Sequence, residues 1–262
     1  MGETWFLVLL GAAAVYWIFR DSSGGSGGND VSLVNTATSP PSSYQPVASS
    51  SESRLVGVDF HPNEIKRTGF IVLDTETTGL VNRSPRHRAF NICLVNVRFD
   101  ADAKKWFYNP FDYFTYPDTS GMKGLKMSDQ WTQYLARRDH AKEWRLESLL
   151  PKIQDNIRDR PIVAHNVNFD RAVLSNEFEK CGIAFPFANH DWHCTLKIAR
   201  ANQFGRYTGS ANPYRGPYSY RLSDVAEHFE LEFDDNQWHT AQYDALVTMR
   251  IFLKILSLAG TR

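Results

Sequence analysis

Apolar residues follow two different spacings along the chain, and the change between them divides the sequence. In the first half, residues 69–76, 89–99 and 104–111 are short apolar runs rich in β-branched and aromatic side chains. Such runs are typical of β-strands. We therefore predict three strands here, with a hairpin turn at residues 102–103 joining the second to the third.

From residue 146 onward the spacing becomes helical. The apolar residues between Leu146 and Ile157 recur every three or four positions, as they do on one face of an α-helix. We also predict helices over residues 169–182, 222–231 and 240–260, a short buried strand over 161–166, and a strand passing into a helix within 191–200. A strand meander followed by alternating strands and helices predicts an α/β domain with a mixed sheet flanked by helices.

The N-terminal residues predict a membrane anchor. Residues 5–19 are apolar and uncharged, which favours an apolar helix, although a full span takes about 17–25 residues. Trp5 and Trp17 lie near its two ends, as aromatic side chains at membrane interfaces do. Arg20 follows the run, and the positive-inside rule then places the rest of the chain in the cytoplasm. A cleaved secretory signal peptide is the alternative.

The next segment predicts a flexible connection. Residues 21–53 are rich in Ser, Gly and Pro, so they bury little apolar surface and we expect a disordered linker. Three parts are thus predicted: a transmembrane anchor at residues 1–20, the linker, and a folded domain at residues 54–262. In this arrangement the chain is a single-pass membrane protein with its folded domain facing the cytoplasm.

Composition narrows the function only slightly. The 262 residues suit one domain with extensions, and the formal net charge of zero neither demands nor excludes a nucleic-acid partner. The chain has three cysteines, none of them in a CxxC pair. A disulfide framework is therefore not expected, and a reducing compartment is indicated.

Acidic residues stand at the ends of several predicted elements. Asp74 and Glu76 are two positions apart in the first strand, so they project from the same face. Asp170 falls in the first turn of a helix that follows a strand, and His239 precedes Asp244 by five positions near the start of the last helix. Taken singly, each carboxylate could be a solvated acid or a favourable charge at a helix N-terminus.

Taken together, the carboxylates predict a metal site. Carboxylates that cluster without a cation repel one another or hold protons. Hard divalent cations such as Mg²⁺ or Mn²⁺ remove that problem, since they prefer oxygen ligands. Two such ions about 3.5–4 Å apart can activate a water and stabilise the leaving oxygen of a phosphodiester. A histidine such as His239 titrates near neutrality and could accept the proton of that water.

Three motifs occur in a recognisable order. They are "DTETTGL" at residues 74–80, "AHNVNFD" at 164–170 and "HTAQYDA" at 239–245. The series D-x-E, HNxxFD and H-x-A-x-x-D resembles the DnaQ-like DEDDh 3′–5′ exonucleases, over residues 69–256. The five residues that fall on the family positions are Asp74, Glu76, Asp170, His239 and Asp244.

The resemblance implies a ribonuclease H-like fold and two-metal hydrolysis from the 3′ end of a nucleic acid, releasing nucleoside 5′-monophosphates. It implies that two Mg²⁺ or Mn²⁺ ions are held by the four carboxylates, with Asp74 bridging both, and that His239 is the general base. We favour DNA as substrate. The alternatives are an RNA-trimming or oligoribonucleotide-degrading enzyme and a binding module without catalysis, since the motifs do not separate DNA from RNA.

Residues beside the motifs are candidate substrate contacts. They are Thr77, Thr78, Gly79, Leu80, His165 and Asn166. Two loops, at residues 81–89 and 203–221, are rich in Arg, and the second also contains several tyrosines. Arginine beside aromatic rings can follow phosphates and stack on bases. The alternative is an ordinary solvated loop in each place.

Overall fold

The computed structural model describes residues 55–260, except residues 82, 85, 138–142, 211–215 and 235–239, together with the backbone of residues 16–20. Its strands form one large mixed sheet and one small hairpin. The strands are β1 (Tyr16–Arg20), β2 (Phe70–Thr77), β3 (Ala89–Asp100), β4 (Lys105–Thr115), β5 (Glu143–Trp144), β6 (Ile162–Ala164), β7 (Trp192–Cys194), β8 (Arg206–Tyr207) and β9 (Tyr218–Ser219).

Helices cover both faces of the large sheet. They are α1 (Pro62–Thr68), α2 (Asp129–Arg137), α3 (Leu146–Ile157), α4 (Val167–Lys180), α5 (Thr195–Ala201), α6 (Leu222–His228) and α7 (Ala241–Gly260), with a short 3₁₀ helix at Ser120–Met122. The sheet order is β1-β4-β3-β2-β6-β7, and β5 also pairs with β4. The strands β2, β3 and β4 form an antiparallel meander, and β6 and β7 extend it parallel to β2.

The central strand β2 is buried on both faces. Ile71 and Leu73 pack on one side with α3 and α4, whereas Phe70 and Val72 pack on the other with α7. Successive strand residues point to opposite faces. A strand covered on both faces is therefore apolar at every position, which explains the uninterrupted run at residues 70–73.

The predicted α/β class and the strand meander are confirmed. The third strand, however, continues to Thr115 instead of ending at residue 111, because it stays paired with β3 from Asp100↔Lys105 to Asn91↔Phe114. The pattern of apolar residues did not predict α1, α2 or the hairpin of β8 and β9. The helix α1 buries Ile65 as its one buried side chain, so it has no repeating apolar spacing to detect.

The predicted membrane localisation is wrong. Tyr16–Arg20, the last five residues of the predicted anchor, form β1 and pair antiparallel with β4 instead of continuing an apolar helix. Within the described parts of the chain, no helix is both long enough and apolar enough to cross a membrane. Apolar and aromatic residues suit strands as well as spanning helices. Residues 1–15 and the predicted linker at 21–53 lie outside the described residues.

One aromatic side chain of α7 joins this helix to the sheet. Phe252 is fully buried, and its ring lies edge-on to Phe60 and Phe70, with centroids 5.1 and 5.0 Å away. We expect Phe252→Ala to lower the free energy of unfolding by about 3–5 kcal/mol, the usual cost of removing a buried phenylalanine. Urea unfolding of the purified chain measures this directly.

A surface residue of the same helix provides the control. Leu258 is 44% exposed, so Leu258→Ala should change the free energy of unfolding by no more than about 0.5 kcal/mol. Equal losses in the two variants would contradict the packing described for α7.

Candidate active site

The end of β2 presents acidic side chains to one face of the sheet. Asp74 and Glu76 continue the series of Phe70 and Val72, so they point toward α7. The pairing register with β3 shifts between Glu76 and Thr77. A bulge of this kind increases the local twist and redirects side chains, and bulges are common beside active sites. The strand thus ends in two partly buried carboxylates where the sheet meets α7.

The first turn of α7 brings a third carboxylate to this place. Asp244 is buried, and one carboxylate oxygen from each of Asp74, Glu76 and Asp244 lies within 4.8 Å of the other two. The start of α7 is fixed by Asn91, whose side-chain oxygen accepts the backbone N–H of Ala241 at 3.1 Å. Asn91 lies opposite Glu76 across the β2–β3 pair, so the same residue aligns the helix with the strand.

Asp170 approaches from the other face of the sheet. It lies in the first turn of α4, which follows β6, the parallel neighbour of β2. Carboxyl ends of adjacent parallel strands lie at the same edge of a sheet. The hydroxyl of Thr75 donates to Asp170 Oδ1 at 2.9 Å, and Thr75 faces opposite to Asp74 and Glu76. Thr75 therefore connects the two sides of the site.

Burial and mutual repulsion both make the negative charges of this site costly. Desolvation raises the pKa of Asp74 well above its usual range, and the negative charges of Asp170, Asp244 and Glu76 raise it further. Desolvation and the charges of Asp244 and Asp170 raise the pKa of Glu76 to about 8. Desolvation raises the pKa of Asp170 to about 7, although the hydrogen bonds from Thr75 oppose this rise. Without a cation the cluster therefore retains protons at neutral pH.

The cluster fits a divalent cation. Its donors are carboxylate oxygens, which Mg²⁺ and Mn²⁺ prefer, and three of them are already close enough to share one ion. A cation would also offset the repulsion that, after desolvation, raises the pKa values of Asp74 and Glu76. Asp170 is close enough to the cluster for its negative charge to raise the pKa values of Asp74 and Glu76. The four predicted carboxylates are thus brought together.

The fifth predicted residue is His239. His239 lies outside the described residues, two positions before α7 begins at Ala241. Its role as general base stays a prediction.

The predicted substrate contacts after β2 are mostly engaged within the chain. The Thr77 hydroxyl donates to the Gly79 carbonyl at 2.7 Å. Thr78 is fully buried, and its hydroxyl oxygen accepts the backbone N–H of Arg88 at 3.0 Å. Gly79 lies against the His87 ring so closely that an added Cβ would be 2.2 Å from it. These residues shape the loop, whereas Leu80 is 46% exposed beside it, and its contact with substrate stays a prediction.

The two predicted contacts before α4 also have structural partners. His165 Nε2 lies 3.1 Å from the Tyr220 carbonyl oxygen, so this nitrogen carries the proton and donates. Its Nδ1 then accepts from the Thr195 hydroxyl at 2.9 Å. Burial lowers the pKa of His165 to about 4, which keeps this neutral form at pH 7. Asn166 is the N-cap residue of α4 and has a φ of 121°, a left-handed conformation that asparagine tolerates better than most residues.

The arginines of the first loop are partly used inside the chain. Arg88 donates to the buried carboxylate of Glu177 at 2.7 Å, and the same carboxylate accepts the backbone N–H of Ala89 at 2.8 Å. This pair holds α4 against the start of β3. Arg86 donates to the Gly121 carbonyl at 3.2 Å. For Arg88 a structural role therefore replaces the phosphate contact considered for this loop.

Sequence reasoning missed the positioning residues Thr75 and Asn91. Asn91 interrupts an apolar run in β3, and that interruption was the available signal, whereas Thr75 lies between two acids and gave no separate signal. Asn91 is buried, and its amide nitrogen donates to Asp112 at 2.7 Å and to the Tyr113 carbonyl at 3.2 Å. A buried amide with its hydrogen bonds satisfied marks a fixed geometry.

The raised pKa of Glu76 makes a testable difference to stability. Its pKa rises from 4.5 to about 8, so without metal the folded state keeps a proton that the unfolded chain releases. This group therefore makes the folded protein less stable as the pH rises from 4.5 to about 8. In EDTA, we expect Glu76→Gln to melt a few °C above wild type at about pH 8 and much closer to it at about pH 5.

Glu179 serves as the control for this experiment. It is an exposed acid on α4, so Glu179→Gln should change the melting temperature little and equally at both pH values. A Glu76→Gln variant that melts below wild type at the higher pH would contradict the repulsion described here.

Comparison with known proteins agrees with this geometry. Residues 71–252 match the family model RNase_T, described as an exonuclease. The DNA polymerase III PolC-type of Caldanaerobacter subterraneus subsp. tengcongensis is 28% identical over 188 residues, which are 71% of this chain and 11% of that protein. The DNA polymerase III subunit epsilon of Aquifex aeolicus is 32% identical over 111 residues, 42% of this chain and 48% of that subunit.

Solved structures share the fold at low sequence identity. E. coli exonuclease I in complex with a 5cy-dT13 oligonucleotide has a TM-score of 0.51 at 18% identity, covering 73% of this chain and 40% of that one. An exonuclease I structure described as apo has a TM-score of 0.52 at 19% identity, covering 74% of this chain and 42% of that one. The family match covers most of the chain and includes the strand and helices that carry the carboxylates. The chain therefore belongs to the RNase_T exonuclease family and is a DnaQ-like DEDD 3′–5′ exonuclease of the ribonuclease H-like superfamily.

Proposed function

We propose that the chain hydrolyses nucleic acid from the 3′ end with divalent metal ions, releases nucleoside 5′-monophosphates, and favours DNA. The catalytic unit in this proposal is the domain of residues 54–262. The observation that carries the proposal is the convergence of Asp74, Glu76 and Asp244 within 4.8 Å, with Asp170 beside them. Acids placed this close are costly without a cation, and they suit one well.

Two Mg²⁺ or Mn²⁺ ions are proposed for this site, with Asp74, Glu76, Asp170 and Asp244 as their protein ligands. When bound, such ions polarise water and neutralise charge on a phosphodiester. The chain's own part is to hold the four carboxylates in fixed positions. Thr75 does this for Asp170 through its hydroxyl, and Asn91 does it for the helix that bears Asp244.

His239 is the proposed general base. In the sequence it stands five positions before Asp244 and two before Ala241, where α7 begins. A neutral imidazole there would take the proton from the attacking water at a ring nitrogen as the water adds to phosphorus. The bond from phosphorus to the 3′-oxygen of the preceding nucleotide then breaks, that oxygen takes a proton from solvent to become the new 3′-hydroxyl, and the phosphate stays on the 5′-oxygen of the released nucleotide.

The names of the relatives favour DNA. They are DNA polymerase III chains, and one structural neighbour is described in complex with a 5cy-dT13 oligonucleotide. The chain spans 11% of the PolC-type relative, so the activity and partners of that whole protein do not transfer with the domain. An RNA-trimming or oligoribonucleotide-degrading enzyme and a non-catalytic binding module remain the alternatives. Digestion of 3′- and 5′-labelled DNA and RNA with Mg²⁺, Mn²⁺ or EDTA separates them.

Removing one carboxylate should abolish the activity. Asp74 interacts with all three other acids of the site, so Asp74→Asn should reduce nucleotide release to the level that wild type shows in EDTA. Release is measured from a 3′-labelled DNA strand, and circular dichroism checks the fold. Asp102→Asn, at an exposed turn between β3 and β4, is the matched control and should keep the wild-type rate. Full activity of Asp74→Asn would refute the metal site.

Removing the base should slow turnover without abolishing binding. We expect His239→Ala to lower kcat by about 10²–10⁴-fold, the usual contribution of general base catalysis. The affinity for a 3′-ended oligonucleotide in Ca²⁺ should change little, because the carboxylates hold the metal. The wild-type rate should fall on the acid side as the imidazole gains a proton, and this limb should flatten or move in the variant.

Two results would exclude this role for His239. Near-normal turnover of His239→Ala would show that another group takes the proton. A variant that no longer binds the oligonucleotide would make His239 a substrate contact instead.

A further inference from the structure

The loop between α5 and α6 contains a hairpin with a fixed geometry. The strands β8 and β9 pair with Arg206 opposite Ser219 and Tyr207 opposite Tyr218. Asp224, which is buried in the first turn of α6, holds both strands: it lies 2.8 Å from Arg206 Nε and also accepts the hydroxyl of Ser219. A carboxylate that binds both strands fixes the hairpin against α6.

The opposite face of the hairpin carries tyrosine rings. Residues paired across two strands share a face, as do residues two apart on one strand. Tyr207, Tyr218 and Tyr220 therefore lie on the face away from Asp224. The ring centroid of Tyr218 lies 5.4 Å from that of Tyr207 and 6.1 Å from that of Tyr220. We call these three side chains the tyrosine face.

The tyrosine face leaves one ring open to solvent. Tyr207 is 67% exposed, whereas Tyr218 and Tyr220 are partly buried. Large aromatic side chains usually bury most of their surface, and exposed ones are common at binding sites. The Asp224 carboxylate on the other face fixes the hairpin that carries this ring, and a fixed support lowers the entropy lost when a ligand binds.

The hairpin is joined to the candidate active site. The Tyr220 carbonyl accepts the hydrogen bond from His165 Nε2 at 3.1 Å. His165 directly precedes Asn166, the N-cap residue of α4, and Asp170 lies in the first turn of that helix. The tyrosine face is thus continuous with the segment that delivers one of the four carboxylates.

Positive charge accompanies the rings. Arg200 and Arg221 are exposed beside this junction. The charge of Arg200 adds to the lowering of the His165 pKa by burial, and it opposes the rise that burial causes in the pKa of Tyr220. Among the described residues, no carboxylate lies within ion-pairing distance of either arginine. Cations beside stacked rings suit a nucleic-acid backbone with its bases turned toward the rings.

We propose that the tyrosine face is a stacking subsite for unpaired bases of the strand whose 3′ end occupies the active site. This inference rests on the proposed function and extends it, because it assigns single-stranded nucleic acid as the substrate. A base paired in a duplex presents its edges to the grooves and keeps its faces stacked on its neighbours. An unpaired base can place a face on a tyrosine ring, whatever its sequence.

The test compares variants of Tyr207 by fluorescence anisotropy. The ligand is a fluorescein-labelled single strand of thymidine of about 20 nucleotides, bound in Ca²⁺, and we expect Tyr207→Ala to raise its Kd about 5- to 150-fold, the range for one stacked base. Tyr207→Phe keeps the ring and should restore the wild-type Kd. A blunt duplex of equal length should lose much less affinity in Tyr207→Ala. The KM for hydrolysis of a thymidine dinucleotide, which is too short to reach beyond the active site, should also rise much less.

The outcomes separate the subsite from the activity. Equal Kd values for wild type and Tyr207→Ala, or an equal loss with the duplex, would overturn the subsite. A loss in Tyr207→Phe as large as in Tyr207→Ala would overturn it as well, since stacking needs the ring and not the hydroxyl. If wild type released no nucleotide with any cation, the proposed function would fail, and the Kd comparison would still decide the subsite.

Discussion

Repulsion between carboxylates at the end of β2 is the constraint on which this site depends. One carboxylate oxygen from each of Asp74, Glu76 and Asp244 lies within 4.8 Å of the other two, and burial makes the charges of Asp74 and Glu76 costlier still. Left alone, such groups would move apart or keep protons. They stay together because each belongs to an element fixed by packing elsewhere, so the apolar core of the sheet supports the strained polar end.

The core provides this support from both faces. Apolar residues of β2 pack with α3 and α4 on one side and with α7 on the other, which sets where the first turns of α4 and α7 lie. Two hydrogen bonds then position the ends of these helices. The Thr75 hydroxyl donates to Asp170, and the Asn91 side-chain oxygen accepts the backbone N–H of Ala241. The repulsion stored in this arrangement is what a divalent cation would relieve, so the same geometry links stability to metal binding.

Sequence patterns predicted the parts of the fold that repeat. The continuous apolar runs in β2 and β3 come from strands buried on both faces, and the helical spacing in α3 and α7 comes from helices buried on one face. The carboxylates were also predictable, because D-x-E on one strand and acids at two helix starts form a recognisable set. Their convergence depends on the parallel pairing of β2 with β6. This pairing joins two distant segments, so the residue pattern of either segment alone does not predict it.

The errors have physical causes as well. The apolar run at residues 5–19 was predicted to span a membrane, yet Tyr16–Arg20 form an edge strand on β4, since composition alone does not separate the two. The hairpin of β8 and β9 is too short for a pattern and is fixed by Asp224, a contact made with the following helix. Partners such as Arg88 and Glu177 lie far apart in the chain, and only the folded structure brings them together.

Locating bound metal tests the central claim most directly. Crystals grown with Mn²⁺ and a nucleoside 5′-monophosphate should show anomalous scattering at the manganese edge. The account predicts peaks in contact with the carboxylate oxygens of Asp74, Glu76 and Asp244, and loss of these peaks in crystals of Asp74→Asn. Crystals that bind the nucleotide but show no manganese at these oxygens would contradict it.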